Sequence, residues 1–182
     1  MNIHKHALTY SMAAVFTVIA YSLGIYLAGV TNTAFNYLSY VFFIAILVFA
    51  VKNWRDKEKG GFLTYGQAMG YETWFAVYYS ISMAIWTYVF MAYIAPGLMD
   101  SEMLKQEMLM EQRGMPPEQV EMAMKYARMF STPPVIACIA LFGGMFFLTI
   151  INLIVAAVVK KDLPMNFENP DNTSNTNNPY TN

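Results

Sequence analysis

At 182 residues, the chain is 57% hydrophobic and 13% charged, against about 45–50% and about 25% in soluble domains, a balance that argues for a membrane protein over a water-soluble core. A net charge of −1 leaves no basic face to neutralise phosphates, which argues against nucleic acid as a partner. The single cysteine, Cys138, can form neither an intramolecular disulfide nor a four-thiolate metal site.

Residues 1–6 read as a short polar leader with Lys5, His4 and His6, and both histidines are expected to be solvated. The run 7–29 is apolar, uncharged and of spanning length, so it predicts a first membrane helix. Val18-Ile19-Ala20 would serve as a small-residue cleavage site, but apolar character continues past Ala20, which favours a retained span over a signal peptide. Thr17, Ala20 and Gly24, at helical spacing, predict a stripe for close helix contact. An uncharged turn at Thr31-Asn32-Thr33 leads to a second span, 35–51, with Tyr37, Tyr40 and Trp54 placed as interfacial aromatics. The segment 52–59 then carries Lys52, Arg55, Lys57 and Lys59 and is expected to be a loop.

The longest helical candidate follows. Thr64 with Gln67 three residues later predicts a capping box, in which hydroxyl and amide each satisfy an orphan backbone N–H. The third span is expected over 68–95. Its stripe of Ala68, Glu72, Ala76, Ser80 and Ala84 turns Glu72 toward other helices rather than lipid.

Composition shifts sharply over 98–132. Two helical patterns flank 113–117, with Gly114 ending the first and Pro117 suited to the first turn of the second. Val120, Ala123, Met124 and Ala127 give the second an apolar stripe, and the segment is expected to be a helical hairpin outside the bilayer. Thr132 before Pro133-Pro134 starts a fourth span, 134–159, which ends at Lys160-Lys161. The Asn-rich stretch 162–182 has too little apolar content to offset ordering entropy and is expected to be disordered; its Asn172-Thr173-Ser174 sequon is a pattern common by chance.

The expected fold is therefore all-α, a four-helix transmembrane bundle with an extracytoplasmic helical hairpin between spans three and four. The first loop has no Lys or Arg, whereas 52–59 and both ends are basic. The positive-inside rule then puts both termini in the cytoplasm, with the bundle in the inner (plasma) membrane. Lys125 and Arg128 near the fourth span are a counter-signal.

Glu72 lies about seven residues into its helix, ~10 Å along the axis, and Asn152 roughly 12 Å from the same end of span four. The two form a candidate intramembrane polar site, since charged groups at bilayer depth often mark ion or proton paths. The competing expectation leaves Glu72 at headgroup level, paired with Lys5, Lys59 or Lys160. Met108, Met110, Met122 and Met124, with other methionines of 98–132, suggest soft Cu(I) ligands. Spacing at i, i+2 points each pair apart, however, and apolar packing is expected instead, with no metal or cofactor. Gly66 and Gly70 have the GxxxG spacing of close packing. There is no HExxH, P-loop or GxSxG sequence and no carboxylate pair within a span, so no enzyme is expected.

The stretch Gly61-Phe62-Leu63-Thr64-Tyr65-Gly66-Gln67-Ala68, the stretch Gly114-Met115-Pro116-Pro117-Glu118-Gln119-Val120-Glu121 and the Lys160-Lys161 exit, in that order, carry a resemblance. Up to Lys161 the chain resembles the domain of unknown function 4199 family, small four-span bacterial integral membrane proteins. The resemblance implies four membrane helices with a charged loop before the last, and carries no activity, substrate or site residues. The leading expectation is an interaction or assembly component of the membrane, with the lipid bilayer, a second copy or another membrane protein as partners. The alternative is a small ion- or proton-coupled transporter or channel using Glu72.

Overall fold

The computed structural model describes residues 2–30 and 33–162; the sequon and nearly all of the expected disordered tail lie outside the described residues. The first helix, α1 (Ile3–Leu27), starts four residues before the apolar run, because the Asn2 side chain accepts from the His4 N–H and caps it. Helix α2 (Thr33–Glu58) runs straight through the expected basic loop. Lys, Arg and Glu are good helix formers, and the helix stops only where Gly60 and Gly61 take φ of 64° and 87°. Helix α3 (Tyr65–Val89) opens with the expected capping box, Gln67 N–H to Thr64 Oγ1 at 3.4 Å and Thr64 N–H to Gln67 Oε1 at 3.2 Å. It widens at its far end into a π-helical turn, Phe90–Ile94, before Pro96.

Two shorter helices follow, α4 (Leu98–Gln112) and α5 (Pro117–Phe130). Gly114, at φ 75°, lies in the turn between them, and Pro117 occupies the first turn of α5. Each touches the other more than it touches any other helix. Val120 and Met124 are buried and Ala123 and Ala127 half-buried, as the stripe predicts. Helix α6 (Pro133–Val159) is the last helix among the described residues.

Helix α3 holds the bundle together, packing chiefly on α6 and α1, while α2 rests mainly on α1. Leu63 and Lys161 exchange two backbone hydrogen bonds of 2.9 Å, which sets the start of α3 level with the exit of α6. The core gathers Leu47, Val51, Trp54, Tyr71, Phe75 and Val159. The outer surface is apolar as well: Phe16 is 68% exposed, Phe142 69% and Phe146 72%. Such a surface is a liability in water and the natural one in lipid.

Two expected packing motifs are corrected. On α1 the packed face is Ala7, Ser11, Ala14, Val15 and Val18, whereas Thr17, Ala20 and Gly24 are exposed. A Cβ added at Gly66 or Gly70 would meet nothing within 4 Å, so their spacing brings no helix close. Small residues permit close approach but do not compel it; the bulkier Val15 and Val18 fill the space against the bundle.

Candidate functional site

Polar side chains collect inside the half of the bundle where α1 and α3 begin and α2 and α6 end. His6, expected to be solvated, is 2% exposed. Its Nδ1 lies 2.8 Å from the Tyr71 hydroxyl and its Nε2 3.2 Å from Asn53 Oδ1. Because Asn53 Oδ1 can only accept, Nε2 carries the hydrogen, and Nδ1 is then free to accept from the Tyr71 O–H. Tyr10 stacks on the imidazole at 4.6 Å, and Trp54 stacks on Tyr71 at 5.6 Å. His4 also finds partners, with its Nδ1 3.1 Å from the Tyr78 hydroxyl and its ring edge-on to Trp74. The sequence carried one signal for this: nothing between His4 and the apolar run interrupts a helix.

Glu72 follows Tyr71 and is fully enclosed, at 0% exposure. Neighbouring residues of a helix point about 100° apart, so α3 is covered over a wide arc at this level. Neither carboxyl oxygen has a hydrogen-bond partner among the described residues. Pairing with a headgroup-level lysine is thereby overturned, because a group so enclosed meets neither Lys5, Lys59 nor Lys160. An unpaired charge at such a position costs several kcal/mol, which uptake of a proton or a cation relieves.

The expected row holds. Ala68, Glu72, Ala76 and Ser80 are buried and Ala84 is half-buried. The far end of the row faces α6, since a Cβ on Gly144 would lie 3.7 Å from Ser80 Oγ. That hydroxyl is also buried with no partner among the described residues, and Ser80 lines a pocket of about 320 Å³ with Phe43, Tyr79, Gly144 and Leu148.

Asn152, on α6, is buried at 3% exposure. Glu72 follows Leu63 by nine residues and Asn152 precedes Lys161 by nine, so the Leu63–Lys161 bridge puts both at one depth, roughly 12 Å in. They occupy the two helices that share the most extensive contact, although no hydrogen bond joins them. The methionines of α4 and α5 fall in a different region: Met122 is 59% exposed and Met124 4%.

Four helices, over 3–27, 37–58, 65–94 and 133–159, are long and apolar enough to cross a bilayer. With the enclosed carboxyl and the apolar exterior, they define an all-helical membrane protein. A family model described as "Protein of unknown function (DUF4199)" matches residues 7–161, and the chain belongs to that family. No curated protein and no solved structure matches the chain.

Proposed function

We propose that the chain is a non-enzymatic, multi-pass protein of the inner (plasma) membrane, with cytoplasmic termini, whose bundle carries a proton or a small cation by way of Glu72. The observation that supports this is the carboxyl itself, enclosed by α3's neighbours and left without a partner among the described residues. A purely structural carboxyl would be expected to carry hydrogen bonds or a counter-ion that offset its burial. Asn152 at the same depth supplies a neutral amide able to donate to the ionised form or accept from the protonated one. The unpartnered Ser80 hydroxyl, two turns along the same row and open to a pocket, extends polar character toward the other end of the bundle.

The test is proton flux in vesicles holding purified protein and an internal pH dye. Wild type should dissipate an imposed pH gradient faster than protein-free vesicles, and Glu72→Gln should lose that excess while inserting and unfolding as wild type does. A wild type no faster than the empty vesicles, in this assay and in its counterparts with Na+- and K+-sensitive dyes, ends this reading.

A second reading, an interaction or assembly component, is favoured by α4. That helix has no buried residue, and it presents Leu104, Met108 and Leu109 outward, 56%, 44% and 44% exposed. Methionine-rich apolar faces adapt to partners. The two readings concern different ends of the molecule and are separable.

A further inference from the structure

We infer that the outward face of α5 is seated in the headgroup–acyl boundary of the bilayer, so that this helix lies along the membrane surface as an interfacial helix. The reading is independent of Glu72. Met122, Tyr126, Met129 and Phe130 recur at i, i+4, i+7 and i+8 and are 59%, 58%, 63% and 60% exposed. At 100° per residue they fall nearly opposite the buried pair Val120 and Met124. Glu118, Glu121, Lys125 and Arg128 occupy the arc between. Helix α5 therefore has two apolar faces, of which only one is covered by the described residues.

Continuity identifies what covers the other. Phe130 lines an open, almost wholly apolar groove with Pro134, Cys138, Ile139 and Phe142 of α6. Ile139 and Phe142 are 55% and 69% exposed on a helix long and apolar enough to span, so they belong to its lipid-facing wall. Phe130 thus belongs to both surfaces, lining the groove beside that wall and standing on the outward face of α5. A partner protein seated on α5 would have to cover a surface whose adjoining part is already in lipid. Tyr126 is also of the aromatic type that settles at the interface, and Phe130 suits the apolar face of a helix lying there.

The charges refine the chemistry. Two acidic and two basic side chains balance along the polar arc of α5, so seating rests on apolar area, and a zwitterionic lipid suffices.

Nitroxide labels placed on full-length protein in phosphatidylcholine vesicles provide the test, with Cys138→Ser removing the exposed native thiol. Labels at Met122→Cys, Tyr126→Cys and Met129→Cys report the outward face, and labels at Glu121→Cys and Lys125→Cys report the polar arc. Outward labels should be relaxed strongly by oxygen and weakly by a water-soluble nickel chelate, polar-arc labels the reverse, with no change when phosphatidylglycerol is added. Equal access of nickel to both sets would mean a face in water and overturn the inference. Outward labels shielded from both reagents would mean that a second copy covers the face, which overturns it too, as would seating only in anionic vesicles. Three labels against two keep the outcome independent of any one variant.

Discussion

The two ends of this molecule are built on opposite plans. Where α1 and α3 begin and α2 and α6 end, packing is dense and several polar groups are tied across helices. His6 bridges Tyr71 and Asn53, Leu63 and Lys161 share two hydrogen bonds, and Arg55 Nη1 donates to the Val159 carbonyl at 3.2 Å. Toward the other end burial fades. Past Ser80 no residue of α3 is buried, its last turn loosens into a π-helix, and α4 has no buried residue at all. One end fixes geometry through contacts within the chain, as holding a lone carboxyl at a set depth requires. The other leaves its contacts to be made by what surrounds it.

That contrast predicts unequal responses to mutation. The largest is expected from Phe75→Ala, since Phe75 is fully enclosed against Phe43 and Tyr79. Loss of packing there should cost about 2–3 kcal/mol, less than the ~3–5 of an aqueous core because lipid is as apolar as the protein interior. Unfolding in mixed detergent micelles would measure it, and a change below the noise would mean that the tied end is not the stabilising one. Tyr71→Phe removes one hydroxyl and leaves His6 Nδ1 without its partner, for an expected loss of about 1 kcal/mol in the same assay. Asn53→Ala combined with it should give less than the sum if His6 couples the two. Replacing 98–132 with a short linker should have the smallest effect on the bundle, within about 0.5 kcal/mol. Under the interaction reading, the same change should abolish co-purification of partners while insertion persists; partners retained at wild-type levels would remove that reading.

What the sequence disclosed follows the same division. Apolar runs of spanning length, the Thr64–Gln67 cap and the Pro117 start are local signals, and they match the helices found. The row through Glu72 was legible because helical periodicity alone decides which residues share a face. His6 was not legible, because its burial depends on Asn53 and Tyr71, which lie 47 and 65 positions away. The basic segment 52–59 failed for a related reason. Charge suggested a loop, but Trp54 turns into the core at 5% exposure and Arg55 reaches α6, so tertiary contact holds the helix on through Glu58. The same holds for Thr17, Ala20 and Gly24, where a permissive pattern was present and the partner helix packed elsewhere.

The clasp between Leu63 and Lys161 has a mechanical corollary. It couples the chain's exit from α6 to the very corner from which α3 departs, a few turns below an isolated acid. A tug or a docking event at residue 161 would therefore be transmitted along a stiff helical lever to Glu72, without passing through lipid or through the two short helices at the far end.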